Sequence, residues 1–175
     1  SGGARFFNEL SLALAGHLPG GPAKVAIVAS GLLGTINGSS VANVATTGAF
    51  TIPLMKRVGY KGEFAGAVEA CASTGGQLMP PIMGAGAFIM SEFLGISYLR
   101  IAAAAVVPAL IYYAALFINV QVRAKYRNLE GIERELLPRA KEVFARDGHL
   151  LVPLFAIIAM LLMKYTPLAA AFWGI

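Results

Sequence analysis

The sequence predicts an all-α membrane protein of multi-pass helices, with one re-entrant helical hairpin and one discontinuous helix. Three observations predict it. Of 175 residues, 57% are hydrophobic and only 13% charged, where an ordinary soluble domain is nearer one quarter charged. Residues 101–122 form a run of 22 residues without a charge, and at about 1.5 Å per residue such a helix spans a hydrocarbon core of roughly 30 Å. Two further apolar stretches in the first half of the chain are each broken by a short polar knot rich in glycine or proline.

In chain order, Phe6, Phe7, Leu10, Ala13 and Leu14 make a short amphipathic stripe, read as an interfacial helix over residues 5–18. Residues 25–36 are apolar but number only 12, about 18 Å as a helix and too short to cross. The polar knot Asn37-Gly38-Ser39-Ser40 follows, then a second apolar run closed by Lys56-Arg57. Two half-length segments joined by a Gly/Ser tip, with Lys24 at one end and Lys56-Arg57 at the other, describe a re-entrant hairpin over 24–57 whose ends share one side. Residues 63–95 read as a transmembrane helix unwound in its middle by Ser73-Thr74-Gly75-Gly76-Gln77 and Pro80-Pro81. Residues 99–122 are the surest span, with Pro108 expected to kink it.

Residues 123–149 carry seven Lys or Arg, which the positive-inside rule places in the cytoplasm. Within them Leu136, Leu137, Ala140, Val143 and Phe144 recur at helical spacing, the pattern of a helix lying on the membrane or against a neighbour. Residues 150–175 begin another span, interrupted at Lys164 and Thr166-Pro167. The chain reads as a single membrane-embedded unit. Ser1 in place of an initiator Met, and an apolar run continuing to Ile175, lead to the expectation that it is a piece of a longer protein.

Several function classes are disfavoured. The net charge of +5 is distributed between apolar runs rather than along one face with interleaved aromatics, so nucleic acid is not an expected partner. Cys71 is the only cysteine, which excludes an internal disulfide and a Cys-based zinc site. His17 and His149 have no partner at metal spacing, and no GxxxxGK[ST] element is present. An intramembrane hydrolase using Ser39 or Ser40 lacks a placed base, so no enzyme, catalytic residue or organic cofactor is expected.

The two breaks point to a site, because lipid cannot hydrogen-bond a peptide group and irregular backbone at membrane depth survives only where it is buried in protein or lines a cavity. In a helix, Pro80 and Pro81 would leave the carbonyls of Gly76 and Gln77 without donors, and free carbonyl oxygens are hard ligands suited to Na⁺. At the tip, Ser39 or Ser40 can cap the helix that follows, whose N-terminal dipole end favours an anionic solute. The segment ending at residues 34–37 presents carbonyls of opposite polarity. Ser39, Ser40, Asn43, Thr46 and Thr47 also fit plain interhelical hydrogen bonding. Glu92 lies close to the wetted end near Ser97 and Arg100. Glu69, one or two turns before the break, is the expected coupling carboxylate for a proton or cation.

The stretch from Gly31 to Tyr98, and above all Gly38-Ser39-Ser40-Val41-Ala42-Asn43, Thr74-Gly75-Gly76 followed by Pro80-Pro81, and Gly59-Tyr60, closely resembles the large membrane subunit of tripartite ATP-independent periplasmic (TRAP) transporters. The nearest match within that family is to fused permeases that work with TAXI-type binding proteins. The resemblance covers residues 2–132 well and weakens afterwards. It implies a bacterial inner-membrane permease of two inverted repeats moving as an elevator, driven by a cation gradient, Na⁺ or H⁺, with Na⁺ usual. The solute carries a carboxylate and is delivered by a periplasmic binding protein. Further partners are the remainder of the permease and a small membrane subunit, fused or separate. By the same match this chain is the first repeat, with cation-site positions Ser39, Ser40, Asn43, Gly75, Gly76 and Pro80 and solute contacts at Ser40, Thr46, Thr47 and Gln77. Alternatives are a divalent-anion or citrate-type symporter acting without a binding protein, and a membrane scaffold that transports nothing.

Overall fold

In the computed structural model, which describes residues 2–163, every regular element is helical. Helix α1 spans Gly2–Ala15 and α2 spans Gly21–Asn37, with Pro22 in its first turn, where a missing N–H costs nothing. Helix α2 stops at Gly38, whose φ of 55° is left-handed and suits a residue without a Cβ. One residue later Ser39 caps α3 (Ser40–Arg57), its hydroxyl accepting from the Ala42 N–H at 3.3 Å. Helix α4 covers Gly62–Gly75 and tightens into a 3-10 turn at Gly76–Leu78 before Pro80-Pro81 ends it. Helix α5 (Gly86–Leu94) resumes after the break, and α6 runs over Tyr98–Tyr126 through Pro108. Two 3-10 turns, Arg134–Leu136 and Gly148–Leu151, flank α7 (Ala140–Asp147), and α8 covers Val152–Leu162. The expected interruption at Lys164 and Thr166-Pro167, and the run after it, lie outside the described residues.

Helices α2 and α3 form an antiparallel hairpin, as the pairing of Ser30 with Asn43 and Thr47 requires. Helix α4 lies along both, and α6 closes the group from behind. Their shared core is built from small and medium residues, Ala23, Ala26, Ala65, Ala72, Ile27 and Val68, with Tyr113 and Val120 from α6. Small side chains let helix backbones approach closely, the usual basis of helix association in lipid.

The two feet of the hairpin meet the exit of α6. The Gly20 N–H donates to the Leu129 carbonyl at 3.1 Å, and the Tyr60 hydroxyl donates to the Gly20 carbonyl at 3.5 Å. Lys24 donates to the Gln121 side chain and sits 5.0 Å from the Phe117 ring, while Arg123 lies 5.0 Å from the Phe64 ring. At the other end, Gly38 packs against the backbone of Met83 and Gly84. The tip of α2–α3 therefore meets the break after α4.

Helix α6 is long and apolar enough to cross a membrane. Arg134–Leu161 is also long and apolar enough, but it is assembled from α7, α8 and two 3-10 turns, and its charges lie before Gly148. Its apolar half is α8. Helix α5 has no buried residue, and Phe93, Val107, Leu110 and Ile111 are more than half exposed, leaving an apolar flank on α5 and α6.

Helix α1 is placed differently from an isolated interfacial stripe. Phe6, Phe7 and Leu10 are turned inward onto Leu33 of α2 and Val143 of α7, with Phe6 and Phe144 edge-to-face at 5.7 Å. Gly2 approaches Leu150, and the Gly16 carbonyl accepts from Ile132, so α1 descends along α2 toward the hairpin feet. The amphipathic α7 supplies the cover that a membrane surface would otherwise provide. Glu9 of α1 pairs with Arg146 across this contact.

Candidate functional site

The site is assembled from the hairpin tip and the break. The Gln77 side-chain amide donates to the Ser40 hydroxyl at 2.9 Å, bridging the break to the tip. Gly34 of α2 and Gly76 are in backbone contact: a Cβ at Gly76 would stand 3.1 Å from the Gly34 Cα and 2.8 Å from the Asn43 amide nitrogen. Glycine at both positions is what allows this approach. Beside them lies Asn43, wholly buried, donating to the Ser30 carbonyl at 2.9 Å. Its Oδ1 accepts no hydrogen bond from any described residue, and a buried acceptor left unmade costs about 1–3 kcal/mol.

The break is less open than proline placement alone suggests. The Gly76 carbonyl accepts from Met79 at 3.2 Å and the Gln77 carbonyl accepts from Gly84 at 2.8 Å. The chain folds back on itself and supplies the donors that Pro80 and Pro81 cannot. A cation at these carbonyls therefore has only their second lone pairs to use. Two tyrosines of α6 hold the end of α4 from outside: the Tyr113 hydroxyl donates to the Ala72 carbonyl at 2.9 Å and Tyr112 to the Cys71 carbonyl at 2.8 Å. The Gly76 N–H has turned to Ser73 and Thr74, so Ala72 needs an outside donor. Tyr113→Phe is expected to lower the thermal stability of the complete permease by about 1–3 kcal/mol, read as a shift in its melting temperature. An unchanged melting temperature would mean that this carbonyl has another donor.

The expected site residues do not all converge. Ser40, Asn43, Gly76 and Gln77 come together, Ser39 is engaged as the helix cap, and Pro80 shapes the loop beside them, whereas Gly75 faces Tyr112 and Tyr113 of α6 rather than the tip. Thr46 turns away and donates to the Ala42 carbonyl at 2.6 Å, whereas Thr47 points into the protein. Glu92 is exposed near the end of α5.

Glu69 is wholly buried and ringed by hydroxyls. Thr47 and Thr51 each contact one of its oxygens, Ser73 lies at 3.2 Å and Ser30 at 3.4 Å. Gly48 admits the Glu69 side chain, since a Cβ there would stand 3.1 Å from its Cγ. Ser30, Thr51 and Ser73 were not among the residues expected from sequence. The signal for Thr51 and Ser73 is the spacing of four in Asn43, Thr47, Thr51 and again in Glu69, Ser73, which puts polar groups on one stripe of an otherwise apolar helix; Ser30 of α2 belongs to no such series. Beyond the break, a cleft of about 590 Å³ is lined by Gln77, Met83, Met90, Ile101 and Pro108, and Arg100 contributes to its wall.

Known proteins resemble this sequence. The family model described as "Tripartite ATP-independent periplasmic transporter, DctM component" matches residues 1–175, extending past residue 132, where the motif resemblance weakens. The C4-dicarboxylate TRAP transporter large permease protein DctM of Vibrio cholerae is 33% identical over 155 residues, covering 86% of this chain and 33% of that protein. Its namesake from Pseudomonas aeruginosa is 32% identical over 133 residues, covering 76% of this chain and 31% of that protein. The sialic acid TRAP transporter large permease protein SiaM of Vibrio cholerae is 30% identical over 171 residues, covering 95% and 39%. The chain thus spans roughly a third of the length of these curated relatives. The chain belongs to the DctM family, the large permease component of TRAP transporters.

Proposed function

We propose that this chain supplies half of the transport site of a cation-coupled uptake permease, with α2–α3 as a re-entrant hairpin and α4–α5 as its discontinuous helix. The observation that carries this is Asn43: a buried carbonyl oxygen without a donor among the described residues, held between the hairpin and the break beside two touching glycines. An oxygen in that position is what a cation needs and what plain helix packing has no use for. The capped N-terminus of α3 at Ser39 and Ser40, bridged to Gln77, offers a positive dipole end for a carboxylate-bearing solute.

The names of the relatives, C4-dicarboxylate and sialic acid permeases, favour a carboxylate-bearing solute. Family membership favours a periplasmic binding protein that delivers it and a small membrane subunit beside the permease. The basic feet of the hairpin and the residues after α6 gather at one end, which favours a cytoplasmic position for that end in a bacterial inner membrane. Movement of the hairpin group as a unit, in elevator fashion, suits a tip and feet that belong to one packed body.

The test is solute uptake by the complete permease in proteoliposomes with its binding protein, imposing Na⁺ and H⁺ gradients separately. Asn43→Ala is expected to cut cation-driven uptake at least tenfold, on the scale of about 1.4 kcal/mol or more of lost ion binding, with membrane insertion intact. Uptake unchanged in that variant would defeat the assigned site. Uptake without a binding protein would place the permease with divalent-anion symporters instead.

A further inference from the structure

We infer a second cation site, separate from the tip and break, formed by the Glu69 carboxylate with the hydroxyls of Ser30, Thr47, Thr51 and Ser73; it rests on the cation-coupled reading above. Glu69 is wholly buried and in no ion pair among the described residues. Of the basic side chains on these helices, Lys24 is engaged by Gln121 and Phe117, and Lys56 and Arg57 are exposed at the foot of α3. A buried carboxylate calls for a positive partner or a coordinated ion, and no side chain here provides the first.

The donor set fits a hard monovalent ion. All five residues offer oxygen, and one of them carries a single negative charge. Ser30, Thr47, Ser73 and Glu69 Oε1 form a cluster in which Ser30 stands 3.3 Å from Thr47, 3.4 Å from Ser73 and 3.4 Å from Glu69, with Ser73 to Glu69 at 3.2 Å. Thr47 and Thr51 donate directly to the Glu69 oxygens, but good O–H···O bonds centre on about 2.7–2.8 Å, so Ser30 and Ser73 are held too loosely to be satisfied within the cluster. The Ser30 and Ser73 separations suit a coordination shell. Na⁺ is close in size to Ca²⁺, whose oxygen ligands lie about 2.3–2.6 Å away, and at that radius adjacent ligands at right angles are about 3.3–3.7 Å apart. The single carboxylate favours the monovalent ion, since calcium sites gather several charged ligands.

The hydroxyl protons have somewhere else to go. Thr47 can donate to the Asn43 carbonyl at 2.8 Å and Thr51 to the Thr47 carbonyl at 3.0 Å. Each threonine thus has two settings, its proton toward Glu69 or its proton on the helix backbone with lone pairs facing inward. An arriving cation selects the second. The site also communicates with the tip, because Ser30 belongs to the cluster through its hydroxyl and holds the Asn43 side chain through its carbonyl.

The experiment measures Na⁺ bound to the purified complete permease by ²²Na⁺ equilibrium binding at constant ionic strength, choline replacing sodium. Glu69→Gln is expected to lose one Na⁺ per permease, Asn43→Ala a different one, and the double variant both. Thr51→Val, which keeps shape and carboxylate, is expected to weaken Na⁺ binding at the Glu69 site at least fivefold while the protein elutes as wild type, which separates ligand loss from misfolding. Loss of a sodium in Asn43→Ala with the wild-type count and affinity in Glu69→Gln and Thr51→Val would overturn this inference alone. The wild-type count in both Asn43→Ala and Glu69→Gln would overturn the cation site at the tip as well.

Discussion

Gly34→Val is expected to cut cation-driven uptake by the complete permease at least tenfold, while the protein still reaches the membrane. A Cβ at Gly34 collides with the Gly76 Cα and would stand 3.1 Å from the Gly76 carbonyl oxygen. Those are backbone atoms, and no rotamer moves them aside. The branched side chain must therefore push α2 away from the break. Overpacking of this kind costs about 1–3 kcal/mol, but its larger effect is geometric, since Asn43 reaches the break through the same gap. Gly66→Ala in α4 is the matched comparison: nothing lies within 4 Å of its Cβ, and alanine is the better helix former. Uptake by Gly66→Ala is expected to match wild type. Equal activity in Gly34→Val and wild type would mean that the tip and the break need not touch.

The second large effect is on insertion. Leu110, 60% exposed in the middle of α6, sits on the apolar flank, and lysine there is expected to oppose membrane insertion by about 2.5–3.5 kcal/mol, roughly 60- to 300-fold in the inserted fraction. The comparison is Val122→Lys, at the end of the same helix beside Arg123, where a long cationic side chain can snorkel to the interface. Only the central substitution is expected to deplete the membrane fraction. If both variants insert equally, α6 does not cross in the register proposed.

How much of this was legible in the sequence depends on whether the signal is local. The long helix α6 declares itself by an uncharged run, and the cap of α3 by Ser39 following a glycine, because each involves residues near in the chain. The break after α4 is marked by Pro80 and Pro81, yet the donors that satisfy Gly76 and Gln77 come from Met79 and Gly84, a fold-back that no helical pattern describes. The position of α1 was hidden for a different reason. An amphipathic stripe says that one face is buried, not whether lipid or protein buries it, and here Leu33 and Val143 do. The hydroxyl ring of Glu69 is readable on α3 and α4 from its spacing of four, but the pairing of α2, α3 and α4 that closes it is a tertiary fact.

The hydrogen bonds among Gly20, Tyr60 and Leu129 bind both feet of the hairpin to the exit of α6, and this gives the molecule a fulcrum. The 17 residues of α2 make a stiff arm about 25 Å long. Tilting such an arm by about 5° at its base sweeps the far end through about 2 Å, close to the distance between a bound ion and its oxygens. A disturbance at residues 126–132, remote from any ligand, is thereby magnified where it matters most.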